Sequence, residues 1–148
     1  MSTPAFIVYT DGSCWTGDRI GAYSWICINE DDDEYCGGSW EADTTISRME
    51  LRGPIEALDA IYSSFGSSVI LIYSDSEYVV LGATDQSRKR NKNVDLWDTL
   101  DAFVSLHEYV GFEHIKGHDG AKYNELADKL AGGLRAKGQD AHTNPQSL

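Results

Sequence analysis

The chain lacks the features of a membrane protein, a disulfide-bonded protein or a multidomain protein. Its 148 residues contain no apolar run near the roughly 20 residues that span a bilayer, and no basic segment followed by an apolar core opens the chain. Three cysteines are an odd number without zinc-type spacing, which favours reduced thiols. Repeats, low-complexity tracts and linkers are also missing. We therefore expect one soluble domain in the cytoplasm, with no membrane attachment.

Basic residues are scarce as well. The chain has 12 Lys and Arg against 24 Asp and Glu, a net charge of -12. Phosphate binding usually leaves a basic footprint, so this balance weakens non-specific nucleic-acid binding without excluding specific binding. Part of the acidic excess is the run 30–34, which is typical of a solvated hairpin turn. A third of the basic residues lie in one short segment, here called the basic loop, formed by Arg88, Lys89, Arg90 and Lys92.

Hydrophobic patterning predicts an α/β fold with a sheet of mixed direction. The expected strands cover residues 5–10, 20–29, 34–42, 68–74 and 110–116. The expected helices cover about 46–64, 76–83, 94–109 and 121–137. Three hairpin-type strands followed by strand–helix alternation indicate this architecture. Residues 138–148 are polar, so we expect a domain over 1–137 followed by a disordered tail.

Four acidic residues stand where an apolar run ends or inside a helical pattern. Asp11 and Asp75 follow predicted strands, and Glu50 and Asp128 lie in predicted helices. Carboxylates at strand ends pack poorly but bind hard cations such as Mg²⁺ well. Four of them together would repel one another without cations, so they predict a metal site and two-metal phosphoryl transfer. Each also has a local alternative: a turn residue for Asp11, a helix N-cap for Asp75, and solvated helix positions for Glu50 and Asp128.

Six blocks, in a fixed order over roughly residues 5 to 135, carry a further signal. They are Tyr9-Thr-Asp11-Gly-Ser-Cys14, Ser47-Arg-Met-Glu50-Leu51, Tyr73-Ser-Asp75-Ser-Glu-Tyr-Val79, Lys92-Asn-Val-Asp-Leu-Trp97, Ile115-Lys-Gly-His118 and Asn124-Glu-Leu-Ala-Asp128. Each block alone is weak, because Thr-Asp-Gly-Ser occurs in many turns. Together the blocks resemble type 1 ribonuclease H. This resemblance implies a ribonuclease H-like fold, with a five-stranded mixed sheet and helices on both faces.

The resemblance also implies an activity. It is that of an endonuclease that hydrolyses the RNA strand of RNA/DNA hybrids and leaves 5′-phosphate and 3′-hydroxyl ends. Two Mg²⁺ ions are the implied cofactors, with Mn²⁺ as a substitute. By resemblance, Asp11 bridges both ions, Glu50 and Asp75 complete the shell of the ion near the leaving oxygen, and Asp128 helps to hold the ion that activates water. His118 would assist the attacking water or product departure; a surface histidine without a role is the alternative.

Contacts with the hybrid are implied for a further set of residues. The set comprises Gly12, Ser13, Cys14, Thr45, Ser47, Glu77, Asn93 and Asn124, together with the basic loop. Ser47 and Glu77 are candidates for the minor groove, where the 2′-hydroxyls distinguish RNA from DNA. They replace the Asn and Gln that are frequent in the family. Thr45 and Asn93 resemble a pocket for a DNA-strand phosphate, and helix capping by both is an equally good interpretation. Asn124 is implied to lie near the metal site.

The chain departs from bacterial relatives that carry a basic handle. Only 18 positions separate Asp75 from Asn93, so the basic loop is interpreted as a remnant of that handle. We expect a minimal catalytic domain without a hybrid-binding module, a monomer with no obligate protein partner. The alternatives are a junction resolvase or integrase-like core acting on DNA, an inactive hybrid-binding module, and an ordinary α/β domain with acidic loops. The Arg-Met-Glu-Leu block and the histidine loop disfavour the first, and the four carboxylates disfavour the second.

Overall fold

A five-stranded mixed sheet forms the centre of the molecule. In the computed structural model, which describes residues 2–85, 87–116 and 122–143, the strands are β1 (Ala5–Cys14), β2 (Gly21–Asn29), β3 (Glu34–Glu41), β4 (Val69–Ser74) and β5 (Tyr109–His114). Their order across the sheet is β3-β2-β1-β4-β5. β1 pairs antiparallel with β2 and parallel with β4, so the strand direction changes at the centre of the sheet. The predicted mixed sheet is confirmed.

Helices cover both faces of this sheet. They are α1 (Ile46–Phe65), α2 (Glu77–Thr84), α3 (Val94–Leu106) and α4 (Lys122–Thr143). Successive side chains of a strand point to opposite faces. On β1, Val8 joins the hydrophobic core that Leu51 and Leu58 of α1 complete. Its neighbour Tyr9 lies on the other face, where its ring contacts that of Tyr123 on α4 at 5.5 Å between centroids.

β1 is longer than its apolar run predicts. Its parallel pairing with β4 ends at Thr10 and Ser74, but its antiparallel pairing with β2 continues to Cys14, opposite Gly21. Asp11 therefore lies within the strand, opposite Ser24, and the turn interpretation of Asp11 is wrong. The sequence does not predict this extension, because the residues after Thr10 are polar. A strand segment that pairs with only one neighbouring strand need not have an apolar pattern.

The last helix is also longer than expected. α4 continues to Thr143, beyond the expected end at residue 137. Gly138 makes this possible, because a Cβ atom there would lie 2.5 Å from the ring of Trp40 on β3. Packing against β3 thus holds a segment that is polar in sequence. The helix covers part of the expected tail, residues 144–148 lie outside the described residues, and the division of the chain at residue 137 stays a prediction.

The acidic run forms the predicted hairpin turn between β2 and β3. Asn29 closes it, because its side-chain oxygen accepts hydrogen bonds from the backbone amides of Asp31 and Asp33, both at 2.9 Å. Asp32 adopts a left-handed backbone conformation with φ of 64°, and all these acidic side chains are exposed. Within residues 2–85, 87–116 and 122–143, no helix combines the length and apolar character needed to cross a membrane.

Candidate active site

Three of the four predicted carboxylates converge at one edge of the sheet. One carboxylate oxygen from each of Asp11, Glu50 and Asp75 lies within 4.8 Å of the other two. Asp11 follows the last parallel pair of β1 and β4, and Asp75 directly follows β4. Because neighbouring parallel strands end at the same edge, both side chains reach the same space. Glu50 joins them from α1.

Gly12 allows Glu50 to reach this cluster. A Cβ atom at position 12 would lie 2.7 Å from the backbone nitrogen of Glu50 and 2.9 Å from the carbonyl carbon of Met49. Only glycine permits so close a contact between α1 and β1. The Gly12 amide also faces the carboxylates of Asp11 and Glu50 and partly offsets the rise in the pKa of each. The residue after the strand aspartate therefore sets the position of the helix glutamate.

Asp128 completes the set from α4. Its carboxyl group forms a hydrogen bond with that of Asp11, although it lies outside the tight group of three. The helix is fixed at this point because the Ser24 hydroxyl donates a buried hydrogen bond of 2.6 Å to the carbonyl oxygen of Ala127. Ser24 itself pairs with Asp11 across β1 and β2. One strand pair thus positions the carboxylate on β1 and the one on α4.

Burial and mutual repulsion change the acidity of the cluster. Burial, a hydrogen bond with Asp128 and the charge of Asp75 raise the pKa of Asp11 to about 8. Burial and the charges of Asp11 and Asp75 raise the pKa of Glu50 to about 9. Burial also raises the pKa of Asp75. A bound cation would reverse these shifts, because it stabilises the ionised carboxylates that repel one another.

The donor set suits a hard divalent cation. All four groups offer oxygen, the ligand that Mg²⁺ and similar ions prefer. The Oε2 atom of Glu50 is buried and, within the part of the chain that the structure describes, accepts no hydrogen bond. The Oδ1 atom of Asn124 is buried and unpaired in the same way, one helical turn before Asp128. Buried oxygens without donors are costly unless a ligand supplies the missing interaction.

Two of the remaining local alternatives for the carboxylates are also wrong. Ser76 caps α2, because its hydroxyl accepts a hydrogen bond of 3.3 Å from the amide of Val79, and Asp75 is thereby left available for the cluster. Glu50 is only 9% exposed, so it is not a solvated helix residue. Asp128 is exposed, as expected for a solvated helix residue, and it also contacts Asp11.

The predicted phosphate pocket lies between α1 and α3. Thr45 caps α1, because its hydroxyl accepts a hydrogen bond of 3.2 Å from the amide of Arg48. Asn93 does not cap α3 with its side chain and adopts a left-handed conformation with φ of 56°. Its side chain instead accepts a bond from Arg48 at 3.3 Å and donates one to the Tyr78 hydroxyl at 3.0 Å. Capping is confirmed for Thr45 and wrong for Asn93; phosphate binding stays a prediction for both.

The basic loop contains one residue unlike the others. Arg90 donates to the carbonyl oxygen of Gly82 at 3.0 Å and to Asp101 at 2.5 Å, and its guanidinium lies 4.3 Å from the centre of the Trp97 ring. The other three basic side chains of the loop are exposed. Arg90 therefore stabilises the loop, whatever else it binds, and the nucleic-acid contacts of all four stay a prediction.

The other predicted substrate contacts are scattered around the carboxylates. Ser13 and Cys14 end β1, Ser47 is half-buried in the first turn of α1, and Glu77 is exposed at the start of α2. His118 lies outside the described residues. The sequence predicts that His114 is structural or solvent-facing; it is exposed, and its Nε2 atom lies 3.2 Å from the carbonyl oxygen of Asp75.

Comparison with known proteins agrees with this geometry. The family model described as RNase H matches residues 3–134. The chain belongs to the ribonuclease H family. It is 40% identical over 146 residues to ribonuclease H of a Jannaschia species, with 86% of this chain and 89% of that protein covered. It is 37% identical over 142 residues to ribonuclease H of Phenylobacterium zucineum, with coverages of 87% and 89%.

Solved ribonuclease H structures share the fold. LC9-RNase H1, described as a type 1 RNase H with the type 2 active-site motif, superposes with a TM-score of 0.78 at 29% identity, over 90% of this chain and 75% of that one. An N-terminal ribonuclease H domain from Mycobacterium tuberculosis gives 0.80 at 21% identity, over 95% and 99%, and so supports the fold alone. The predicted family, fold and enzyme class are confirmed, and the resolvase alternative is set aside.

Proposed function

We propose that the chain hydrolyses the RNA strand of RNA/DNA hybrids, using divalent cations held by Asp11, Glu50, Asp75 and Asp128. The observation that carries this proposal is the convergence of three carboxylate oxygens within 4.8 Å, two of them from largely buried side chains, in a chain of the ribonuclease H family. A cluster of this kind costs folding free energy unless cations occupy it, so its presence favours a metal-binding role.

Mg²⁺ suits this donor set best, with Mn²⁺ as a substitute. Two bound ions supply Lewis-acid stabilisation of the incoming and departing oxygens of an in-line displacement, which leaves a 5′-phosphate and a 3′-hydroxyl. Asp11 contacts the carboxyl groups of Asp75 and Asp128, so it is the candidate for a ligand that both cations would share. His118 is proposed to move a proton at the attacking water or the departing product.

The extended end of β1 offers donors to the substrate. Beyond Thr10, β1 loses its pairing with β4, and no strand of the described ranges pairs with it on that side. Amides of Gly12, Ser13 and Cys14 that point to this side and do not face the carboxylates are available to RNA 2′-hydroxyls, beside Ser47. Glu77, when ionised, can accept a hydrogen bond from a 2′-hydroxyl but cannot donate one. Thr45 and Asn93 are proposed to bind a phosphate of the DNA strand.

A cleavage assay on three duplexes tests this function. End-labelled RNA/DNA hybrid, RNA duplex and DNA duplex are each incubated with Mg²⁺ or with chelator, and the ends of the products are analysed. We expect cleavage of the RNA strand of the hybrid only, and only with Mg²⁺. Cleavage of the DNA duplex, or equal cleavage in chelator, would contradict the proposal.

Two variants assign the activity to the cluster. Asp11→Asn should lower turnover by a factor on the order of 1,000 or more, because the shared metal ligand is lost. Asp98→Asn is the matched control, since Asp98 is an exposed carboxylate on α3 outside the cluster. Near-normal turnover by folded Asp11→Asn would contradict the assignment of Asp11 as a metal ligand.

A further inference from the structure

The loop between β1 and β2 carries an unusually exposed tryptophan. Trp15 is 57% exposed, whereas Trp97 is 2% exposed and the other tryptophans, Trp25 and Trp40, are half-buried. Single exposed apolar residues are common on protein surfaces, so exposure by itself indicates nothing. The hydrogen bonds and ion pair that hold this loop, and its position next to β1, suggest that Trp15 has a function.

Trp15 is held in one position although it faces solvent. Its amide donates to the carbonyl oxygen of Ile20 at 3.3 Å, and the Arg19 amide donates to the carbonyl oxygen of Trp15 at 2.9 Å. Arg135 of α4 binds both carboxylate oxygens of Asp18, at 3.0 and 2.8 Å, and its guanidinium lies 5.5 Å from the centre of the indole ring. A side chain ordered in advance loses little entropy when it binds a ligand.

Gly17 completes the support of the ring. A Cβ atom at this position would lie 3.1 to 3.2 Å from carbon atoms of the indole, so the loop backbone packs directly against it. One side of the indole is thus occupied by the loop, and the exposed remainder is open to solvent. The sequence Trp15-Thr-Gly17 therefore presents a rigid apolar surface on a polar loop.

This surface continues the proposed substrate-binding edge. Trp15 directly follows β1 and lies four positions beyond Asp11. At about 3.3 Å per strand residue, this places it about 13 Å from the carboxylate cluster. Successive phosphates of one strand are spaced by about 3.4 Å along a duplex axis, so this distance corresponds to about four nucleotides. A duplex that runs along the end of β1 with its scissile phosphate at the cluster would therefore reach the indole.

The charges of the loop are balanced by partners. Asp18 is paired with Arg135, and Arg19 forms an ion pair of 3.1 Å with Asp43. In a chain with a net charge of -12, a region in which the acidic groups have basic partners repels phosphates less than the rest of the surface. These paired charges therefore reduce the repulsion that a polyanionic ligand would meet at the loop.

We infer that Trp15 is a substrate-binding residue. Its indole packs against sugar atoms at the groove surface of the hybrid, on the side of the scissile phosphate that faces the β1–β2 loop. The inference rests on the proposed function. Base pairs stay intact, because the contact is with sugar and backbone atoms at the groove surface. The contact is the same before and during phosphate displacement, so it contributes to KM and leaves kcat unchanged.

Binding and turnover of three variants test the role of Trp15. Binding of labelled hybrid is measured by fluorescence anisotropy with Mg²⁺ in the Asp11→Asn background, and KM and kcat are measured in the otherwise native chain. Trp15→Ala should raise Kd and KM about 5- to 20-fold, and Trp15→Phe should stay within about threefold. Tyr109→Ala is the matched control, since Tyr109 is 58% exposed but opens β5, at the sheet end opposite to Asp75.

Intrinsic fluorescence gives a second readout. Hybrid should change the indole emission of the Asp11→Asn protein, and the Trp15→Phe substitution should remove most of that change. Unchanged Kd and KM in Trp15→Ala, an equal loss in Tyr109→Ala, or a large fall in kcat would each overturn the inference while the wild-type chain still cleaves the hybrid. A wild-type chain that neither binds nor cleaves hybrid would instead overturn the proposed function, and this inference with it.

Discussion

Asp11 shows how a single residue combines function with a cost in stability. Its side chain is 3% exposed and contacts the other carboxylates of the cluster. An unfolded chain would ionise this group with its ordinary pKa of 3.8, whereas burial raises the pKa of the folded group to about 8. The folded state therefore holds the proton more tightly, and stability decreases as pH rises from about 4 to about 8.

Asp11→Asn should stabilise the metal-free protein at neutral pH. The amide carries no charge, so the variant avoids the linkage cost that grows between the two pKa values and reaches several kcal/mol at pH 8, and this gain should disappear near pH 4. Urea unfolding in chelator at several pH values measures it. Asp98→Asn should show no such pH-dependent gain. A gain for Asp11→Asn that is equal at pH 4 and pH 8 would contradict the ionisation argument.

The basic loop joins α2 to α3, and its four cations differ in what they contact. Arg90 binds the end of α2 through the Gly82 carbonyl and binds α3 through Asp101 and the Trp97 ring. The remaining three cations project from the loop. The sequence alone predicts that all four basic residues contact phosphates in the same way. Arg90 already binds three partners in the protein, so its side chain is not free to move with the phosphate backbone of a nucleic acid.

Substitutions of Arg90 and of the other three cations should therefore have different effects. Arg90→Ala should destabilise the fold by about 1–2 kcal/mol, because a cation–π contact and two hydrogen bonds are lost. The triple variant Arg88→Ala, Lys89→Ala, Lys92→Ala should leave stability unchanged, raise KM severalfold and flatten the salt dependence of hybrid binding. Thermal unfolding and KM at several KCl concentrations measure both. A triple variant with wild-type KM and salt slope would show that these cations only solvate the loop.

The acidic surface is the dominant electrostatic feature of the protein. The net charge of -12 creates self-repulsion in the folded state, and it opposes the approach of a polyanion everywhere except where cations or paired charges lie. Exposed runs such as 30–34 contribute to this field without contacting the carboxylate cluster. Salt should therefore affect folding and substrate binding in opposite directions.

Raising KCl from about 0.05 M to about 1 M should increase Tm by several degrees, since screening relieves repulsion among acidic side chains. The same change should weaken hybrid binding, because the release of counterions into a more concentrated salt solution is less favourable. The variant Glu30→Gln, Asp31→Asn, which removes two exposed charges of the hairpin turn, should show a smaller increase in Tm. A Tm that falls with KCl, or an identical response in this variant, would argue against surface repulsion.

Local sequence patterns are enough to predict the order of the elements and to select the four carboxylates. Apolar runs define the strands because alternation and β-branched content act locally, and the blocks around Asp11, Glu50, Asp75 and Asp128 need only their order along the chain. The same local reasoning placed Thr45 at the cap of α1. His118 was equally readable in the sequence, and its role stays a prediction.

Contacts between elements far apart in the chain bring these residues together. The extension of β1 to Cys14 depends on its pairing with β2, and the burial of Glu50 depends on the contact of α1 with Gly12. The fixed position of Trp15 depends on an ion pair between Asp18 and Arg135, 117 positions apart in the chain. Such contacts leave no periodic pattern in either segment, because each is set by the packing of distant elements whose free energy no local window of sequence contains.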